Sequence, residues 1–96
     1  MTRQFSVLTT RGFDRTYGKL VRHHPELPER YQEILSILQT APYNHTRSYH
    51  IKKLGGIAPG EGQYRIRAGR FRFRYDMQGS IVNLKGCALR REDIYD

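Results

Sequence analysis

Apolar side chains recur at helical spacing in two neighbouring segments of the chain. The first stripe is Phe13, Tyr17, Leu20 and Val21, and the second is Leu27, Tyr31, Ile34, Leu35 and Leu38. The first helix is predicted to have Thr10 or Asp14 as its N-terminal cap and to end near residues 23–25. Pro28 suits the first position of the second helix, and Ala41–Pro42 forbids its continuation. The short link between the helices predicts an antiparallel hairpin that packs on one face of a sheet.

Period-two alternation and turn residues predict five strands in the remaining segments. They are Gln4–Thr9, Ser48–Leu54, Gln63–Arg67, Arg70–Asp76 and Ser80–Cys87. Ala68–Gly69 and Gln78–Gly79 are predicted hairpin turns, and residues 55–62 form a glycine-rich connection. The order β-α-α-β-β-β-β predicts an α+β fold with a mostly antiparallel sheet, helices on one face and the other face free. The tail 88–96 is expected to be a short helix or an extended end.

Length and composition restrict the class of protein. A chain of 96 residues has room for one domain, here 1–96. No long apolar run or export signal is present and Cys87 is the single cysteine, so a cytoplasmic protein without a membrane partner is expected. Seventeen basic against nine acidic residues give a net charge of +8. This charge indicates an anionic partner: nucleic acid, an acidic protein, or both.

Arginine alternates with aromatic residues along the two central strands. Arg70, Arg72 and Arg74 are expected on one side of the sheet, and Phe71, Phe73 and Tyr75 on the other. A hairpin can add Arg65 and Arg67, so that five arginines line one face. Glu61 and Asp76 are the only carboxylates between residues 60 and 88. The alternative is a solvated, solubilising face, but the density of arginine favours an external anion.

The tail and the histidines supply further candidates. Arg90, Arg91 and Tyr95 follow the last strand, where they can close over one end of the arginine-lined face; the alternative is that Tyr95 is a packed anchor. The four histidines lack the spacing of a metal site, so no metal or other cofactor is expected. His50 begins a strand near the basic residues and is a candidate base, although a packing role in a helix or loop is favoured.

Three segments together resemble the RelE/ParE superfamily of type II toxin–antitoxin toxins, in particular its RelE-like branch. They are HIKKLGG at 50–56, QYRIRAGRFRFRYD at 63–76 and LRREDIY at 89–95. The similarity extends over nearly the whole chain, and the central meander is its specific part. The resemblance implies the α+β fold predicted above.

The resemblance also implies a function and partners. It implies a toxin that acts as an mRNA interferase, a hydrolase that cuts mRNA on the ribosome beside the 16S rRNA of the decoding site. Attack of the ribose 2′-hydroxyl would give a 2′,3′-cyclic phosphate and a 5′-hydroxyl without a metal. A cognate antitoxin would inhibit the toxin within a hetero-oligomer.

Residue roles carried over from the family fall into two sets. The implied catalytic residues are Arg72, which stabilises phosphate charge, Arg91 of the tail, and Tyr95, which stacks on or activates the nucleotide. The implied RNA-binding residues are Lys52, Lys53, Arg65, Arg67, Arg70, Arg74 and Arg90. Some members have lysine where this chain has Arg65 and Arg67. Because arginine stays protonated, the general base is Tyr95, His50, Glu61 or Glu92.

Two other functions fit the same sequence. One is a gyrase inhibitor of the ParE kind, which acts by binding protein and lacks the RNase residues. The other is a non-catalytic RNA-binding or ribosome-binding protein, which requires the charge but no proton transfer. The arginine-lined face and Tyr95 favour the RNase.

Overall fold

The computed structural model describes residues 4–45 and 47–90 of the chain. The elements are β1 (Ser6–Thr9), α1 (Arg11–Val21), α2 (Leu27–Thr40), β2 (Ile51–Lys53), β3 (Tyr64–Ala68), β4 (Phe71–Gln78) and β5 (Ile81–Leu89). The predicted element order and the α+β class are confirmed: two helices pack against a five-stranded, mostly antiparallel open sheet. No helix in the described ranges is long and apolar enough to cross a membrane.

The sheet has the strand order β1-β5-β4-β3-β2. The meander β3-β4-β5 is antiparallel, as predicted, and β2 adds to its edge antiparallel to β3. At the opposite edge β1 lies parallel to β5, with Ser6 opposite Ile81. The chain can make this parallel pair because the two helices cross from one edge of the sheet to the other.

Both hairpin turns lie one residue later than predicted, at 69–70 and 79–80. Gly69 and Gly79 each have φ of 60°, the left-handed region that glycine adopts without a steric cost. A glycine at the first central position is the type II′ arrangement, whose twist matches that of the flanking strands. The turns therefore begin at the glycines, and β4 begins at Phe71 rather than at Arg70.

The strand predicted at Ser48–Leu54 is shorter in the structure and covers only Ile51–Lys53. The side chain of Asn44 explains the loss. Its amide donates to the carbonyl of Tyr49 at 2.8 Å, and its oxygen accepts the Tyr49 N–H at 3.1 Å. A side chain thus takes the backbone groups that a strand ladder would have used.

Local signals set the helix ends. Of the two candidate caps, Thr10 is the one observed: its hydroxyl accepts the Phe13 N–H at 3.1 Å. The helix α2 begins at Leu27, with Pro28 in its first turn, and ends at Thr40 before Pro42. These ends lie within two residues of those predicted.

The core fills the space between the helices and one face of the sheet. The β4 residues Phe71, Phe73 and Tyr75 are fully buried there. Phe13 of α1 stacks on Phe73 with ring centroids 6.5 Å apart, and the Tyr75 hydroxyl donates to the carbonyl of Pro42 at 2.6 Å. The aromatic half of the β4 alternation therefore meets the helices, and the arginine half points to the other side of the sheet.

Stability is expected to fall at high pH. Burial raises the pKa of the Cys87 thiol from its ordinary value of 9.0 to about 12, and it also raises the pKa values of Tyr17, Tyr31 and Tyr64 above 10.0. The unfolded chain loses these protons at lower pH than the folded protein does. Their contribution is therefore complete below about pH 9 and is lost as the pH rises toward about 12.

Urea unfolding across this pH range measures the effect. The free energy of unfolding should begin to fall near pH 9, and Cys87→Ala should delay that onset toward the range of the tyrosines. A wild-type value that stays constant across the range would contradict the prediction.

Candidate nucleic-acid interface

Four arginines occupy the open face of the sheet, opposite the helices. The register pairs Arg65 with Arg74 and Arg67 with Arg72 across β3 and β4. Cross-strand partners share a face, so Arg65, Arg67, Arg72 and Arg74 form one cluster, which we call the arginine face. The predicted common face is confirmed for these four residues.

The prediction is wrong for Arg70. This residue lies in the turn after Gly69 rather than in β4. Its guanidinium is 3.9 Å from a carboxylate oxygen of Glu26, at the start of α2, and its side chain is 61% exposed. Because the turn ends the strand alternation, Arg70 is directed to the helix layer at the rim of the sheet.

Arg74 has a structural role, because its guanidinium donates hydrogen bonds to backbone carbonyls. Its Nε and Nη2 donate to the carbonyl of Gly62 at 3.0 and 2.8 Å, and Nη2 also donates to the carbonyl of Glu61 at 2.9 Å. Two residues farther on, the buried carboxylate of Asp76 accepts the N–H groups of Gly62 and Gln63 at 2.8 and 2.9 Å. Arg74 and Asp76 thus hold both kinds of backbone group at the end of the 55–62 connection.

Arg65 and Arg72 differ from Arg74 because their Nε atoms are buried and have no hydrogen-bond partner among the described residues. Burial lowers the pKa of Arg65, and the nearby charges of Arg72, Arg67 and Arg90 lower it further. In the described part of the chain, the ion pairs are Arg30–Glu33 and Arg70–Glu26, neither of which involves the arginine face. A buried donor without a partner costs free energy, so the cluster is suited to an anion from outside the chain.

A concavity of about 390 Å³ lies on this face, and Arg65, Arg72 and Arg74 line it. Its floor is open because Gly86 and Ala88 of β5 stand directly opposite Arg74 and Arg72. Larger side chains at these positions would fill the space between the guanidinium groups. Sequence reasoning missed Gly86 and Ala88, although small residues two apart on a predicted strand were a usable signal.

A smaller concavity of about 180 Å³ lies at the turn end of the face, lined by His50, Arg67, Gly69 and Arg90. His50 stands next to β2, and its carbonyl accepts the Arg67 N–H at 3.1 Å. The structure therefore brings the candidate base and the first tail arginine together beside Arg67.

The two lysines of β2 point to opposite sides of the sheet. Lys52 pairs with Arg65 in the register and so extends the basic face. Lys53 pairs with Tyr64, and its Nζ lies 5.8 Å from the centroid of that ring. Lys53 is thus apart from the other predicted RNA-binding residues, whereas Arg91, Glu92 and Tyr95 lie outside the described residues.

The contact between Gly62 and Arg74 gives a stability prediction. Gly62 and Gly56 both have positive φ, 83° and 74°. A Cβ at Gly62 would lie 3.1 Å from the Arg74 Cβ, whereas a Cβ at Gly56 meets nothing within 4 Å. Gly56→Ala should cost about 1 kcal/mol for the left-handed backbone, and Gly62→Ala at least about 1 kcal/mol more. Equal losses in urea unfolding would argue against a tight fit of Arg74 on the connection.

Comparison with known proteins found no match to this chain among protein-family models, curated proteins or solved structures.

Proposed function

We propose that this protein is a cytoplasmic endoribonuclease toxin of the RelE/ParE kind, which cleaves mRNA on the ribosome and is inhibited by a cognate antitoxin. The observation that carries the proposal is the pair of buried guanidinium Nε atoms, of Arg65 and Arg72, that have no partner within the described residues. They face a concavity of about 390 Å³ on an open sheet face.

A phosphodiester supplies the hydrogen-bond acceptors and the negative charge that the arginine face lacks. Its oxygens accept hydrogen bonds, its charge offsets the repulsion between neighbouring guanidinium groups, and its shape suits the planar fork of arginine. Arg67, Lys52 and Arg90 extend the positive potential along the same face, as a bound strand of several nucleotides requires. The net charge of +8 favours rapid association with a polyanion such as mRNA or ribosomal RNA.

In the proposed reaction the 2′-oxygen of a ribose attacks the adjacent phosphorus. The bond from this oxygen to phosphorus forms, the bond from phosphorus to the 5′-oxygen breaks, and the 2′-hydroxyl proton passes to a base. The departing 5′-oxygen receives a proton, and the products are a 2′,3′-cyclic phosphate and a 5′-hydroxyl. Arg72 stabilises the charge on the phosphate oxygens in the transition state. No metal enters these steps, because the neighbouring hydroxyl is the nucleophile.

The proton acceptor in this proposal is one of four groups: His50, Tyr95, Glu61 or Glu92. Among those described, His50 lies beside Arg67 at the concavity of about 180 Å³. Tyr95 and Arg91 would complete the site from the tail, by stacking on a base and by holding phosphate charge.

A non-catalytic RNA-binding protein is the second candidate. One observation favours it: among the described residues that line the two concavities around the arginine face, His50 is the only histidine, and none is an aspartate or a glutamate. Binding requires only the guanidinium groups, whereas cleavage also requires proton transfer.

Expression in a bacterial host without antitoxin tests the proposal. RNA 5′ ends would be mapped on translated messages for the wild type and for an Arg72→Ala, Tyr95→Phe double variant. An Arg22→Ala variant is the matched control, because Arg22 is exposed at the end of α1, half a helical turn from Phe13 in projection.

The expected result is growth arrest with cuts confined to translated regions, lost in the double variant and kept in the control. Growth arrest with DNA-damage signalling and no RNA cuts would contradict the proposal and indicate gyrase inhibition. Association with ribosomes or RNA without cuts would support the second candidate, a non-catalytic RNA-binding protein.

A further inference from the structure

A second concavity of about 530 Å³ lies on the open face beyond the arginine face, toward the far end of β4. Its lining includes Pro59, Gly60, Asp76, Gln78, Asn83 and Lys85. Asp76 is two residues after Arg74 on the same strand and is paired with Asn83 of β5. The concavity therefore continues the same side of the sheet, about 7 Å along the strand from Arg74.

The hydrogen-bonding groups of this concavity differ from those of the arginine face. The side-chain amides of Asn83 and Gln78 make no hydrogen bond with a described residue, so each offers both a donor and an acceptor. Each oxygen of Asp76 accepts one backbone N–H, which leaves lone pairs for a further donor. Such groups read the edge of a nucleobase, whereas guanidinium groups hold phosphates.

The walls are suited to a flat ring. The lining includes Pro59 and Gly60, near the end of the connection that Arg74 and Asp76 hold. Next to the concavity, Leu8 of β1 is paired with Asn83 on the same face and is 51% exposed, an unusual position for a large apolar side chain in this protein. Aliphatic surfaces around a few directed polar groups are typical of a ligand pocket.

A β-bulge in β5 places a lysine at the concavity. The register between β4 and β5 shifts after Arg74, which pairs with Gly86, whereas Tyr75 pairs with Leu84. Lys85 is the extra residue, and it lines the concavity. A bulge re-aims a side chain out of the regular alternation, and here it brings one cation to the rim between the amides and the arginines.

We infer that this concavity is a base-recognition subsite: it takes the base of a nucleotide next to the phosphate on the arginine face, and it favours adenine or cytosine over uracil. The inference rests on the proposed RNA-binding function. Adenine offers an amino donor beside a ring acceptor, which an Asn or Gln amide can pair with in a bidentate manner, and the cytosine amino group can donate to a carboxylate. The amides hold the base, and the Asp76 carboxylate selects its edge: where cytosine has an amino group uracil has a carbonyl oxygen, which a carboxylate repels.

Binding of short single-stranded RNA oligomers of A, C or U to the full chain tests the inference by fluorescence anisotropy. An oligomer without bases measures the phosphate contribution. The test variant is Asn83→Ala with Gln78→Ala, and the matched control is Gln32→Ala, an exposed amide of α2 in the helix layer. Thermal unfolding of each variant establishes that the fold is kept.

The wild type and the Gln32→Ala control should bind the A and C oligomers at least about fivefold more tightly than the U oligomer. In the double variant this ratio should fall to near one, with the base-free oligomer bound as before. Equal affinities in the wild type, or an unchanged ratio in a folded double variant, would overturn the base subsite and leave the RNA-binding function intact. Failure of the wild type to bind any oligomer or RNA would overturn both.

Discussion

Replacing Arg72 with methionine is expected to weaken RNA binding at least about tenfold and to raise the free energy of unfolding by about 1 kcal/mol. Methionine keeps most of the apolar stem but removes a charge and a buried Nε that has no partner in the described structure. It also relieves Arg65, whose pKa is lowered by burial and then by the charge of Arg72. The same side chain thus costs stability in the free protein and supplies affinity in the complex.

Two measurements on the same samples check this prediction. Anisotropy titrations with a short RNA at several salt concentrations give the affinity, and their salt dependence should weaken by about one phosphate contact. Urea unfolding gives the stability. Arg22→Met is the control, and it should change neither quantity appreciably.

The combination of affinity and stability changes distinguishes a ligand-binding role of Arg72 from a structural role. A loss of both affinity and stability would mean that Arg72 supports the fold, as Arg74 does through Gly62 and Glu61. A gain in stability with unchanged affinity would mean that the RNA binds elsewhere. Only opposite changes in the two quantities support the arginine face as a binding site.

Replacing Asp76 with asparagine is expected to lower the free energy of unfolding by about 3 kcal/mol. The carboxylate is only 7% exposed, and each of its oxygens accepts one backbone N–H, from Gly62 and from Gln63. Asparagine has the same size but one acceptor, and its amide nitrogen would face an N–H that it cannot accept. The change therefore leaves a donor unsatisfied in a buried place, which is the costly case.

Urea unfolding and amide hydrogen exchange measure the Asp76→Asn effect globally and locally. The N–H groups of Gly62 and Gln63 should exchange faster in the variant, because they lose their acceptor. Asp14→Asn is the control: Asp14 is exposed in the first turn of α1, where loss of charge should cost only a few tenths of a kcal/mol. Equal losses at the two positions would show that Asp76 does not hold the connection.

The two clamp residues, Arg74 and Asp76, also bear on function. The 55–62 connection forms one wall of the proposed base subsite through Pro59 and Gly60, and its end is fixed by these two side chains. RNA binding by Asp76→Asn should therefore lose its preference among bases more than its overall strength, because Arg65 and Arg72 do not depend on this wall.

Several features of the fold and the site follow from local chemistry and were predictable. The apolar spacing defined both helices, Thr10 was one of two candidate caps for α1, and Pro28 and Pro42 indicated the ends of α2. The strict alternation in β4 put Phe73 against the helices and Arg72 on the free face, because successive strand residues point to opposite sides. This spacing and the predicted hairpin also indicated a common face for the arginines, which is observed for Arg65, Arg67, Arg72 and Arg74 but not for Arg70.

What each arginine does could not be predicted from the alternation. Arg72 and Arg74 are the same residue type on the same strand and face, yet Arg74 holds two carbonyls, whereas the Nε of Arg72 has no partner in the described structure. The difference depends on where the 55–62 connection comes to lie, which no local signal encodes. Arg70 likewise left the face because its turn begins one residue later than predicted, within reach of Glu26.

The sequence by itself determined the elements, the two-sided character of the central strands and the excess of positive charge. These properties depend on composition and on the spacing of residues close together in the chain, so they can be predicted without knowing the tertiary contacts. The tertiary structure decided that β1 joins β5 in parallel, that Gly86 and Ala88 open the floor beneath the arginines, and that Asn83 and Pro59 line one concavity. Those relations join residues far apart in the chain, and their free energy comes from packing and pairing that exist only once the whole sheet has formed.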